Sequence, residues 1–203
     1  MAGKVKDVVD KGSTPVSDGR RLRSERSQQA IIDASQALIS EGNLIPTAQQ
    51  IADRAGVGIR SFFRHFADME TLFEAVDAAT RESTEALFSG GDRDGTVAER
   101  ILHAVEQRAF GYENQRNKIL CTTAQIWRYP ELRKRYARYQ RGLRKDLDDW
   151  IPELKKVSPN RREMIDAAAS FEMWHRLREL QGLSKRVAIK IIVEALTDLM
   201  GDL

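Results

Sequence analysis

Between Thr47 and Phe66 the sequence leaves room for two very short helices and one tight corner, and for little else. Thr47-Ala48-Gln49-Gln50 has the form of a capping box, in which the Thr47 and Gln50 side chains each satisfy a backbone N–H of the other. The helix it starts runs to about Ala55 before Gly56 turns the chain, and a third helix covers Ile59 to about His65. Ala52 is the small residue where two helices cross, Gly56 makes the turn, and Val57 is the apolar residue that seals the corner. Ile51 and Ala55 face the preceding helix, and Phe62 and Phe66, four apart, anchor the third helix inward. Ile59, Arg60, Phe63 and Arg64 are left on its outer side. That face suits a major groove, where arginine reads guanine and apolar groups meet thymine methyls. On spacing alone, an ordinary corner between two helices remains open.

The rest of the chain reads as helix. Helix formers are abundant, prolines number five, and no run of β-branched residues suggests a strand, so the fold class is all-α with about nine helices. A helix over 26–41 carries Ile31, Ala34 and Leu38 on one face, and Gly42 ends it. Asp68 caps a fourth helix reaching about Phe88, and residues 89–95 form a loop. Thr96 and Glu99 make a second capping box for a helix to about Asn114. Another segment ends at Tyr129-Pro130, and Pro130 opens a long helix to about Lys155. Ser158-Pro159 starts a helix that Gly182 stops, and Ser184 caps the last one, to about Met200. The domain reading is a flexible basic tail over 1–19, a helix-turn-helix unit over 20–67, and a larger helical domain over 68–203.

Charge placement says more than net charge. Residues 1–26 hold seven basic and four acidic side chains, which accounts for the whole net charge of +3. A basic arm beside a groove-reading unit adds phosphate contacts, whereas a solvated tail carries the same composition for no such reason. Cys121 is the only cysteine, which excludes an internal disulfide framework and suits a reducing cytoplasm. The N-terminus lacks the apolar region of a signal peptide, and the apolar run around Ile191–Val193 is too short to span a bilayer.

The stretch Ile31-Ile32-Asp33-Ala34, Leu38-Ile39, Glu41-Gly42, Thr47, Ile51-Ala52, Ala55-Gly56-Val57 and Phe62-Phe63-Arg64-His65-Phe66, extended by Glu70 and Leu72, resembles the N-terminal domain of the tetracycline-repressor (TetR) family of bacterial regulators. The resemblance implies DNA binding. It places Gln49, Ile59 and Arg60 where such proteins touch bases, with Arg64 an addition, and Thr47, Ser61, Phe63 and His65 where they touch phosphates. Arg21 and Arg23 of the basic arm join the phosphate set. Three positions depart from the pattern: Gly58 stands where a capping serine is usual, Phe63 replaces a tyrosine, and Met69 stands where a lysine is common. Each removes a group that could approach the DNA backbone.

Beyond residue 68 the resemblance rests on helix number and length and on the run Trp174-His175-Arg176-Leu177-Arg178. It implies a small-molecule cavity among the middle helices, for which Phe110, Trp127, Phe171 and Trp174 are candidate lining residues out of a wider set including Phe88 and Tyr112. The same aromatics could simply fill a core. The last helix is apolar over most of its circumference, with only Arg186, Lys190, Glu194 and Thr197 as a polar strip, so it must pack on two sides. One side can be its own domain and the other a partner, in keeping with the homodimer through the last two helices that the resemblance implies. An enzyme is disfavoured: Glu172-x-x-His175 has the spacing of a di-iron motif but occurs once, and neither a cofactor nor a metal is expected. The expected function is a repressor released from operator DNA by a small ligand. The alternative is a constitutive DNA-binding protein whose C-terminal domain takes only a protein partner.

Overall fold

Caps decide where most of the helices begin. The computed structural model describes residues 16–201 and contains, among them, nine α-helices and no strand. These are α1 (Val16–Ser40), α2 (Ala48–Arg54), α3 (Ile59–His65), α4 (Met69–Ala86), α5 (Val97–Thr123), α6 (Pro130–Trp150), α7 (Pro159–Ala168), α8 (Phe171–His175) and α9 (Lys185–Met200). Thr47 Oγ1 accepts from Gln50 N at 3.2 Å while Gln50 Oε1 accepts from Thr47 N at 2.9 Å, so the box that starts α2 is complete. Asp68 and Thr71 cap α4 in the same reciprocal way, as do Thr96 and Glu99 for α5. Pro130 lies in the first turn of α6, and Ser184 Oγ caps α9.

Nine helices arise from a different partition than the periodicity suggests. The first begins ten residues earlier than 26, so residues 16–19, assigned to a flexible tail, are helical; residues 1–15 of that tail lie outside the described residues. This segment has no buried stripe to betray it. Its helix rests on favourable intrinsic preference and local pairs: Arg21 with Glu25 at 3.5 Å, and Arg23 Nε donating to Gly19 O at 3.0 Å. The segment after Asn114 is not separate but the end of α5, because Asn114 turns its amide back onto Phe110 O at 2.8 Å instead of stopping the helix. α6 ends at Trp150 rather than near Lys155, since Pro152 disfavours the helical conformation at Ile151, and a single 3-10 turn follows over Pro152–Lys156. The helix expected over 158–182 breaks at Ala169-Ser170. There the Ser170 hydroxyl donates to Ala167 O at 2.7 Å and accepts from Met173 N at 3.3 Å, ending α7 and starting α8 with one side chain. α8 continues through a π turn over Arg176–Leu180 to Gly182, whose φ of 66° stops it.

Two apolar cores result. The first joins Ile31, Ile32 and Ala34 of α1, Ile51 and Ala52 of α2, Phe62 of α3, Phe66, and Leu72 and Val76 of α4. The second is built on α5, α6, α7, α8 and α9, with Trp150, Leu147, Ile165 and Leu196 fully enclosed. Ala188, Ile192, Leu196 and Met200 form the buried stripe of α9, which packs against α5 and α7 of its own chain. These contacts bury one stripe of α9, while Val187 on its other side stays exposed. No described helix is long and apolar enough to cross a membrane.

The corner offers a paired stability test. Gly56 has φ 65°, so Gly56→Ala forces a side chain into the left-handed region and should cost about 1 kcal/mol. Gly58 has φ −69° and open space around its Cα, so Gly58→Ser should add a capping hydroxyl and gain a few tenths of a kcal/mol, roughly the difference between those caps. Urea unfolding followed by circular dichroism measures both; an equal effect of the two changes would contradict the assigned geometry.

Candidate nucleic-acid interface and internal cavity

α3 is held by one edge. Phe62 is fully buried and lies edge-on to Phe63 at 5.2 Å between ring centroids, and Phe66, just past the helix, is also buried. One turn over, Arg60, Phe63 and Arg64 are exposed, with Ile59 half-buried beside them. Phe63 leaves 51% of its surface in water, a large ring with no internal packing role to match. Arg64 Nη2 donates to Ser61 Oγ at 2.8 Å, which holds its guanidinium along the helix. Thr47 and Gln49 are exposed at the start of α2, and the Gln49 amide donates to Asp53 at 2.7 Å. An Arg54–Glu41 ion pair at 3.0 Å ties the end of α2 to the end of α1. Arg21 and Arg23 are exposed on the N-terminal turns of α1. His65 differs from the others. Its Nε2 is buried and has no hydrogen-bond partner among the described residues. Burial first, and then the charge of Arg64, push the pKa of its imidazole below the ordinary histidine value.

A cavity of about 650 Å³ opens among α4, α5, α6 and α8, well within the range for small-molecule sites. Phe73, Phe88, Tyr112, Tyr136, Tyr139 and Phe171 supply aromatic wall, and Val76, Ile119 and Leu132 aliphatic wall. Of the four aromatics proposed from sequence, only Phe171 lines it. Phe110 and Trp127 are 47% and 74% exposed, and Trp174 is buried in the core instead. Helical phase explains the difference: Ala104, Val105, Arg108 and Tyr112 mark the inner side of α5, and Phe110 falls on the other. The missed tyrosines were legible by the same rule, since Leu132, Tyr136, Tyr139 and Leu143 form one stripe on a helix otherwise crowded with charge. In the Glu172-x-x-His175 pair, Glu172 accepts from the Tyr136 hydroxyl at 2.6 Å, and His175 stacks on Phe171.

Residues 31–76 match the model of the bacterial regulatory proteins, tetR family. The match runs from the second half of α1 through α2 and α3 to the first turns of α4. Among solved structures the chain is similar to a transcriptional regulator from Rhodococcus sp. Rha1, with TM-score 0.62 and 15% identity over 87% of this chain and 95% of that one. It is also similar to a protein from Streptomyces coelicolor A3(2) assigned as a transcriptional regulator, with TM-score 0.54 and 20% identity over 85% of this chain and 99% of that one. At these identities the likeness is one of fold. No curated protein matches the sequence.

The α1–α3 core and the cavity share α4. The Glu70 carboxylate accepts from Glu131 N at 2.9 Å, so a side chain of α4 caps α6. Arg135 of α6 donates to Phe73 O. Asp77, nearly fully buried, accepts from Tyr139 Oη at 2.7 Å, Arg81 at 2.8 Å and Arg138 at 3.1 Å, with Arg135 at 3.8 Å. Burial alone pushes the Asp77 carboxyl up. The Tyr139 hydroxyl, the Arg81 guanidinium and the charge of Arg135 together outweigh that and hold it below the usual aspartate value. The phenol of Tyr139 is in turn pushed up to about 12 by burial and by its bond to Asp77.

Since the Asp77 carboxyl is depressed in the folded chain, its contribution is present above the unfolded aspartate pKa and is lost as pH falls through the lower folded value. Asp77→Ala leaves the surrounding arginines without their anion and should cost about 3 kcal/mol at pH 7. It should also flatten the acid limb of a stability–pH profile below about pH 4, where this carboxyl takes its proton. An unchanged acid limb in the variant would exclude Asp77 as its source.

Proposed function

We propose that the chain is a homodimeric repressor that reads operator DNA through α3 and is released by a small molecule bound in the cavity. The observation that carries the DNA-reading part is the outward face of α3, where Arg60, Phe63 and Arg64 are exposed beside a fully buried Phe62. In this reading Gln49, Ile59, Arg60 and Arg64 contact bases, and Thr47, Ser61, Phe63, Arg21 and Arg23 lie along the phosphates. His65 belongs to the same phosphate set, its Nε2 being buried in the single chain. The cavity favours ligand release over a constitutive protein, because α4 runs from the α1–α3 core to the cavity wall. A ligand that shifts α4 in each subunit changes the spacing of two recognition helices that must match one DNA turn, about 34–36 Å. A coupling of about 1–3 kcal/mol corresponds to a roughly 5–150-fold change in operator affinity, with the same factor acting on the ligand when DNA is bound.

For the dimer, α8 and α9 leave apolar side chains uncovered in the single chain, with Leu180 69% exposed and Val187 also exposed. Leu180→Asp with Val187→Asp should leave folding intact and shift the protein to monomer in analytical ultracentrifugation. Ile192→Glu, by contrast, places a carboxylate in the chain's own core and should unfold it. A wild type that is monomeric at micromolar concentration would remove the dimer from this reading.

Selection of bound sequences from a random DNA pool supplies the operator. Against it, Arg60→Ala should cost about 1–3 kcal/mol and relax preference at one position per half-site. Arg23→Ala should weaken all sequences alike and lower the salt slope by about one unit. Equal weakening of operator and random DNA by Arg60→Ala, measured by fluorescence anisotropy, would sink the base-reading role.

A further inference from the structure

We propose that the cavity takes an amphipathic monoanion, an aryl or alkyl carboxylate whose charged end is received by Lys118. The inference rests on the ligand-release reading and adds the chemical class of the ligand. Phe73, Phe88, Ile119 and Phe171 offer an apolar body only dispersion and burial, so discrimination must come from the few polar groups in the wall. Lys118 of α5 stands out among them. Its Nζ donates to Thr80 Oγ1 at 2.7 Å and to Thr84 Oγ1 at 2.8 Å, both neutral acceptors on α4. An ammonium has three N–H groups, and among the described residues no carboxylate lies within 4.0 Å of this one. Burial accordingly pulls its pKa below the usual lysine value.

The charges around it point the same way. The one buried carboxylate of the wall, Asp77, is already shared by Arg81, Arg135 and Arg138. Asp146 is paired with Arg93 at 2.7 Å, and Glu85 is exposed. A cationic ligand would meet excess positive charge here, and a neutral one would leave Lys118 with only the more distant Asp77, already shared by three arginines, as counter-charge. A carboxylate supplies the missing partner, in a setting where hydrogen bonds to charged groups are stronger than in water. The location also gives binding a consequence. Thr80 and Thr84 are on the helix that buries Leu72 and Val76 in the α1–α3 core, so a carboxylate competing for Lys118 loosens the tie between α5 and that helix.

The test titrates full-length protein, by calorimetry at pH 7.5, with two matched series: 2-naphthoate, 2-naphthylmethanol and 2-naphthylmethylammonium, and octanoate, octanol and octylammonium. In at least one series the carboxylate should bind about tenfold or more tightly than its alcohol and its ammonium, as expected for one charge-assisted contact. Lys118→Met should erase that preference while leaving affinity for the alcohol unchanged, and Lys118→Arg should retain part of it; thermal melts check that both variants fold. An alcohol or ammonium that binds as tightly as the carboxylate overturns the anion assignment and leaves the cavity a ligand site. Absence of binding by every compound at millimolar concentration overturns the assignment as well. Carboxylate binding that depends on Lys118 but leaves operator affinity unchanged upholds the anion site and defeats ligand release.

Discussion

α4 belongs to two cores at once, and the remainder of the structure is arranged around that constraint. Its first turns give Leu72 and Val76 to the unit that positions α3, and its later turns give Asp77, Thr80 and Thr84 to polar contacts with α5 and α6. Apolar packing at one end resists sliding because close-packed side chains admit few alternative arrangements. Farther along, the hydrogen bonds of Thr80 and Thr84 with Lys118 can be exchanged for new partners at modest net cost. Under the proposed reading, a change at Lys118 would pass through Thr80 and Thr84 along α4 to the turns that pack beside α3.

The polar ties between α4 and α6 are concentrated rather than scattered. Glu70 caps α6, Arg135 reaches Phe73 O, and Asp77 gathers Tyr139 and three arginines, all within two turns of α4. Ion pairs at a protein surface contribute little, but Asp77 is buried, and a buried carboxylate without its partners is strongly unfavourable. The cluster therefore defines one register of α4 against α6. It also explains why α6, a helix with many arginines and few aliphatic residues, packs at all: Leu132, Leu147 and Trp150 bury its apolar side, and Arg135 and Arg138 find their counter-charge on α4.

The N-terminal half was largely legible because its signals are local. Thr47 and Gln50, Asp68, Gly56, and Phe62 with Phe66 each act within one or two turns, and the structure places them as their spacing requires. Less was legible where a long-range partner decides. The break at Ser170 looks like helix interior in the sequence, and the end of α5 carries no glycine or proline to separate Asn114 from the residues after it. The cavity was hardest. Aromatic content does not reveal which side of a helix turns inward, so it favours Phe110 and Trp127 over Tyr136 and Tyr139, which are in phase with Leu132. Lys118 gave no signal at all, because a lysine among Asn117 and Ile119 is ordinary until Thr80 and Thr84 are placed beside it.

Under the proposed reading, the early start of α1 bears on how the chain holds DNA despite the groups it lacks. Gly58, Phe63 and Met69 each omit a side-chain group that could otherwise approach phosphate. Arg20, Arg21, Arg23 and Arg26 are exposed on the same helix that buries Ile31 in the α1–α3 core. At about 1.5 Å per residue, Arg20 stands roughly 16 Å along the helix from Ile31. On a disordered tail, each arginine would lose backbone freedom on meeting a phosphate, at about 1–2 kcal/mol per residue ordered. On a preformed helix that cost is largely met in folding, so fewer contacts suffice for the same affinity. Arg21 is engaged with Glu25, and phosphate must compete with that carboxylate, but an exposed pair of this kind is worth only about 0.3–0.5 kcal/mol and yields readily. Under the proposed reading, the helical arm and the bare α3 corner are therefore complementary: charge absent from the corner is carried, already ordered, by α1.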